Sequence, residues 1–314
     1  MTRLFFATDI HGSEICWRKF LNAGAFYGAD VLVLGGDMTG KALVPLVSLP
    51  GGRFKATLLQ QEFVLGSEDE VRDMERRIAS RGYYPFRTTP EQLALLEASP
   101  AQVDALFHEQ MLRTMERWVA LADERLAGTR IRCYVAPGND DPPAIDAVIQ
   151  GATYVQLAEG RAVELGDGFT MVSTGWSNVT PWRTYRELPE EQLAAKIAAM
   201  IPPGLDMRRT VFNFHCPPYG SHLDEAPEVD AELNVKNAGH TLVPVGSTAV
   251  RDAIVRHQPL LSLHGHIHEG KGAARIGRTL AINAGSLYEQ GVLQGALVEL
   301  DPTKGIRSYT LTTG

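Results

Sequence analysis

Five short groups of residues in this chain have types and spacing suited to binding metal ions. They are Asp9-Ile10-His11, Gly36-Asp37, Gly138-Asn139, His215 and Gly265-His266-Ile267-His268. Each follows a run that reads as a β-strand, so one sheet edge would gather two carboxylates, four imidazoles and an amide. Singly these groups are common turns and strand ends, and it is their joint occurrence that carries meaning. Such a donor mixture suits borderline ions such as Mn²⁺, Fe²⁺ and Zn²⁺, whereas Mg²⁺ or Ca²⁺ would be held almost wholly by oxygen. Seven donors suit two ions better than one. Two ions about 3.5–4 Å apart make hydroxide available at neutral pH and clamp the oxygens of a phosphoryl group.

The surrounding elements must deliver these residues. Residues 3–8 read as a buried strand stopping at Asp9, residues 13–28 as a helix with Ile15, Phe20, Leu21 and Ala25 on one face, and residues 30–34 as a strand ended by Gly35-Gly36-Asp37. This unit predicts a parallel strand pair whose C-terminal ends build a site. Further strands are expected over 130–136, 161–165, 169–174, 210–214, 260–263, 279–283 and 292–300, with a short helix over 247–257.

Between the second and third groups the character changes. Ser67 with Glu70, Thr89-Pro90 with Gln92, and Ser99-Pro100 with Gln102 read as capping boxes that start helices. The last opens a helix with Val103, Leu106, Phe107, Met111, Met115, Trp118, Val119, Ala122 and Leu126 on one face, a core stripe rather than a cofactor box. The pattern predicts a mostly helical insertion over 41–128, serving as a cap or a dimer element, within a single domain of residues 1–314.

Composition narrows the function classes. The chain has 314 residues, 44% hydrophobic and 21% charged, which excludes disordered, collagen-like and coiled-coil chains. A net charge of −7 provides no general field for polyanions, so nucleic acid is expected only as a substrate. Cys16, Cys133 and Cys216 are too few and scattered for a disulfide framework, and a cytoplasmic setting is expected. No run of about 18 apolar residues suggests a membrane helix, and the start of the chain lacks a signal-peptide core.

The five groups, in this order, resemble the fingerprint of the calcineurin-like metallophosphoesterase superfamily: Asp-X-His, Gly-Asp, Gly-Asn-His-Glu/Asp, a strand-terminal His and Gly-His-X-His. Asn283-Ala284-Gly285-Ser286 extends the likeness to the small bacterial and archaeal phosphodiesterase branch. The resemblance implies an α/β fold, a four-layer α/β/β/α sandwich of two mixed sheets. It implies one ion on Asp9, His11, Asp37 and His268, and another on Asp37, Asn139, His215 and His266, with Asp37 bridging. It also implies two divalent ions, Mn²⁺ or Fe²⁺ favoured with Zn²⁺ or Ni²⁺ as alternatives, and a small phosphoester as substrate.

The departures refine this expectation. Asp140 stands where the family has histidine, so Asp140, His215 and His266 are the catalytic candidates, and Asp140 as a general acid is in question because an ordinary aspartate is ionised at neutral pH. Two ions contribute +4, Asp9 and Asp37 −2 and a hydroxide −1, leaving about +1, which an ionised Asp140 cancels. Such a site favours a monoanionic phosphodiester over a dianionic monoester. Gly36-Asp37-Met38-Thr39-Gly40 lacks the continuation seen in the protein phosphatases of the superfamily. The alternatives are a nuclease on the same site and a metal-free interaction scaffold, and a homo-oligomer remains open.

Several residues have plainer readings. Asp141 reads as a helix cap ahead of Pro142 and Pro143, and Asp140 divides evenly between cap and catalyst. His264 reads as a structural strand histidine and Cys216 as a packed thiol. Trp182 and Arg183 read as surface packing, with stacking on a base and pairing with phosphate as the alternative.

Overall fold

The computed structural model describes residues 1–230 and 232–314. Alternation along the first strand, Thr2–Ala7, sets the layering: Leu4 and Phe6 face one core, Phe5 and Ala7 another, as a period of two demands. Among the described residues the main sheets are two, each six-stranded and mixed. The first runs, in spatial order, Gly305–Thr313, Gln294–Asp301, Thr2–Ala7, Val31–Leu34, Arg132–Val135 and Val155–Leu157, its last four strands parallel. The second runs Gly272–Ile276, Thr279–Asn283, Leu261–His264, Thr210–Phe214, Phe169–Thr174 and Ala162–Gly166, with four parallel strands at its centre.

The sheets pack face to face over Leu4, Phe6, Val31 and Val33 from one and Met171, Val211, Leu263 and Ile282 from the other. Helices Glu14–Tyr27, Pro100–Leu126 and Ala144–Gln150 cover the outer face of the first sheet, and Glu190–Met200 with Thr248–His257 cover the second. The expected four-layer α/β/β/α sandwich is therefore borne out. Short strands such as Val155–Leu157 and the edge strands Gly272–Ile276 and Gly305–Thr313 escaped the sequence reading. Among the described residues no helix is long and apolar enough to cross a membrane.

Residues 41–128 differ from the expectation in two ways. Ala42–Leu49, Arg53–Leu58 and Gln61–Leu65 are strands that join Tyr83–Thr88 in a four-stranded sheet, around a small core of Val44, Leu46, Leu58, Val71, Met74 and Ile78. The long helix Pro100–Leu126, in turn, belongs to the main helical layer. Trp118 stacks on Trp17 with centroids 5.1 Å apart, and Trp17 Nε1 donates to the Trp118 carbonyl. Of the three capping boxes only Thr89 with Gln92 closes in both directions. Ser67 accepts from Glu70 N while the Glu70 carboxylate turns to Gly66 N, and Ser99 makes no side-chain cap.

Candidate metal centre and active site

Both sheets end their parallel strands at one place. The loop after Thr2–Ala7 runs beside the loop after Val31–Leu34: Asp9 N donates to the Gly36 carbonyl, His11 N to Asp37 and Gly12 N to Met38, at 2.7–2.9 Å. From the other sheet, His266 N donates to both oxygens of the Asp9 carboxylate at 3.0 and 3.1 Å. Asp9, His11, Asp37 and His266 all adopt left-handed backbone, φ 37–66°. For residues with a Cβ this costs about 1–2 kcal/mol each, strain held where side chains must converge.

The glycines preceding the donors have a steric reason. A Cβ on Gly36 would enter the His215 ring, one on Gly138 the Asp37 carboxylate, and one on Gly265 the side chains of Thr8 and Asp9. Gly36-Asp37, Gly138-Asn139 and Gly265-His266 are thus pairs in which the first residue makes room for donors from other loops.

All seven expected ligands meet. His11 Nε2 lies 3.0 Å from His268 Nε2 and 3.7 Å from Asp37 Oδ2, and His268 Nε2 lies 3.5 Å from Asp9 Oδ1. On the other side His215 Nε2 is 3.4 Å from Asp37 Oδ2 and 3.1 Å from Asn139 Oδ1, which is 2.7 Å from His266 Nδ1. Asp9, His11 and His268 form one group of donors within 4.8 Å of each other, and Asp37, His215 and His266 another. Asp37 reaches both sides.

The donor set fits divalent ions. Ring nitrogens and carboxylate oxygens face one another in a buried pit, an arrangement that a cation would stabilise. Burial works against charge on His215, yet Asp37 and Asp9 prevail and raise its pKa to about 9. Burial dominates at His11 and His266 and lowers theirs to about 3 and about 4. Asp9 is held down to about 2 against its burial, chiefly by His215 and His268, and Asp37 is also lowered, chiefly by His215.

Asp140 stands at the rim, one-fifth exposed, its carboxylate paired with the Lys41 ammonium and 3.9 Å from His11 Nδ1. Lys41, at the root of the insertion, escaped the sequence reading because nothing near it in sequence marks it. Asp141 corrects its expected role. Instead of capping the following helix, whose N-cap is Pro143, its buried carboxylate accepts from Met38 N, Thr39 N and Gly138 N and clamps the Asp37 and Asn139 loops together.

Other side chains support these loops. Tyr288 packs its ring 4.8 Å from that of His11. Thr184 accepts from Asn139 Nδ2 at 2.8 Å. Asn283 donates to the Leu223 and Ile267 carbonyls, and Ser286 to that of Asp9, so the Asn-Ala-Gly-Ser segment braces the loops that carry Asp9 and His266–His268. His264 points away, bonded to the Phe214 and Cys216 carbonyls and to Ser262, and the Cys216 thiol contacts Asn178, so both are structural here. His222 is exposed and paired with Glu225.

No family model matches the chain. The uncharacterized protein MJ1162 of Methanocaldococcus jannaschii is 27% identical over 149 residues, 47% of this chain and 61% of that protein's length. A crystal structure superposes with TM-score 0.56 at 17% identity, covering 99% of this chain and 98% of the other. YfcE, a phosphoesterase from E. coli, superposes with TM-score 0.34 at 13% identity, covering 98% of each chain. The likeness to the structure at TM-score 0.56 shows the fold, in keeping with the expected α/β sandwich.

Proposed function

We propose that the chain is a metal-dependent phosphoester hydrolase that holds two divalent ions and prefers diesters. The observation that carries this reading is the convergence of seven donors from both sheets on one pit, with the Asp37 carboxylate reaching both groups. One ion would lie among Asp9, His11, Asp37 and His268, the other among Asp37, Asn139, His215 and His266. Mn²⁺ or Fe²⁺ suits this donor set best, Zn²⁺ or Ni²⁺ less well. When bound, such a pair supplies an activated water at neutral pH and a clamp for phosphoryl oxygens.

The chain's own residues do the rest. His215 and His266 present their rings at the Asn139 side, where they would also flank the phosphoryl oxygens. Lys41 changes the charge count. Its ammonium offsets Asp140, so the loaded site keeps about +1 rather than reaching neutrality, a charge that one phosphodiester anion cancels and a dianionic monoester overshoots. The Asp140–Lys41 pair, beside His11, would offer a leaving alkoxide a proton or a positive partner. Buried free thiols at Cys16, Cys133 and Cys216 suit a reducing compartment such as the cytoplasm.

The test compares metal content and turnover of wild type with Asp37→Asn and His266→Ala. Both variants are expected to lose metal and activity. Full turnover in both would refute the assignment.

A further inference from the structure

We propose that the loop Thr180–Glu187 reads the organic part of the substrate, with Trp182 as the stacking platform for a planar aromatic group, either a nucleobase or an aryl ester. This rests on the hydrolysis proposed above and adds a substrate class to it.

The loop is built onto the metal centre. Thr184 Oγ1 accepts from the Asn139 amide at 2.8 Å, and Arg186 N donates to the Asn139 carbonyl at 3.1 Å. Trp182 is two residues from Thr184, so their Cα atoms are no more than about 7 Å apart. Trp182 thus sits on the same short loop as the residue that holds the Asn139 amide.

The loop is also braced. Ser177–Asn178 pairs with Glu187–Leu188 and closes its base. Glu187 accepts from Thr180 N, Thr180 Oγ1, Thr184 N and Thr184 Oγ1 at 2.6–2.9 Å. Arg186 is buried and donates to the Asp141 carbonyl at 2.8 Å and to Asp146 at 2.6 Å. Trp182 N donates to Thr180 Oγ1 at 3.2 Å.

On this rigid frame Trp182 is 65% exposed, with Arg183 exposed beside it. The other tryptophans have packing roles: Trp17 and Trp118 stack in the core, and Trp176 lies under the Lys196 ammonium. An exposed indole on a braced loop that also holds the Asn139 amide is suited to stacking, and an added arginine suits a phosphate-bearing partner.

The test uses matched diester pairs that differ by the ring: the methyl ester of adenosine 5′-monophosphate against that of ribose 5-phosphate, and methyl phenyl phosphate against dimethyl phosphate. Each is titrated into Mn²⁺-loaded protein while tryptophan fluorescence is read, and its affinity is measured by calorimetry on the same samples. Ring-bearing members are expected to quench saturably and ringless ones not, and Trp182→Leu should abolish the quench and weaken binding about tenfold. A nucleobase reader responds to the nucleotide pair more strongly, an aryl reader to the phenyl pair. Equal binding of ringed and ringless members, or wild-type affinity in Trp182→Leu, overturns the assignment. Metal content on the same samples separates the two readings: full metal without ring preference overturns the loop alone, and protein that takes up no metal overturns both.

Discussion

The Asn139 amide donates to the Thr184 hydroxyl at 2.8 Å, and this bond decides which end of the amide faces the metal centre. Glu187 Oε1 lies 2.6 Å from the same hydroxyl and accepts its hydrogen bond, so Thr184 can only accept from Asn139. The Asn139 oxygen is thereby turned toward His215 and His266. A bond made away from the other donors thus orients one of the proposed ligands.

Removing that acceptor should cost metal affinity. Thr184→Val is expected to weaken Mn²⁺ binding about tenfold, the lower end for supporting hydrogen bonds around a metal ligand, and Thr184→Ser to retain it. Calorimetric titration of Mn²⁺ into the metal-free proteins reads this directly. Equal affinity of the valine variant and wild type would show that the amide is oriented otherwise.

The Asp140–Lys41 pair predicts a charge effect on specificity. Lys41→Met leaves Asp140 uncompensated and should lower kcat/KM for a diester about tenfold, roughly 1.4 kcal/mol, and for a matched monoester by more. Adding Asp140→Asn should recover part of the loss, a coupling that a double-mutant cycle measures. Additive effects would show that the two residues act independently.

Without metal, the buried histidines predict a stability optimum in pH. The His215 pKa is raised from 6.5 to about 9, so its contribution is complete below 6.5 and is lost as pH rises through 9. Those of His11 and His266 are lowered to about 3 and about 4, so their contributions are complete above 6.5 and are lost as pH falls below it. Urea midpoints taken with a chelator should therefore be highest between about pH 6 and 7 and fall on both sides. A midpoint that keeps rising toward alkaline pH would contradict this. Because metal must displace the proton on His215, Mn²⁺ binding should also release protons at neutral pH.

Gly138→Ala tests the close approach of the loops. Its Cβ would meet the Asp37 carboxylate, and the Asp141 clamp leaves the loop little freedom to withdraw. A loss of about 1–3 kcal/mol in stability is expected, with reduced metal content, measured by urea unfolding and elemental analysis.

Much of this was legible in the sequence because the donors sit at strand ends, where continuous apolar runs such as Leu4-Phe5-Phe6-Ala7 stop just before Asp9. The strands Ala42–Leu49, Arg53–Leu58 and Gln61–Leu65 were not. Pro45 interrupts the first, and all three are only partly buried on a small sheet, where pairing and packing rather than pattern stabilise the strand. Asp141 was misread because its partners, Met38 and Thr39, lie more than a hundred residues away. Lys41, Thr184 and Tyr288 were invisible for the same reason: each acquires its role from a neighbour that only the fold supplies.

The most direct test of the central claim is the hydrolysis rate of a chromogenic phosphodiester by metal-free protein titrated with Mn²⁺, with Asp37→Asn beside it. The two-ion site predicts a rate that climbs until two equivalents of Mn²⁺ are bound and stays at background in the variant. Saturation at a single equivalent, or the same rate in Asp37→Asn, would contradict it.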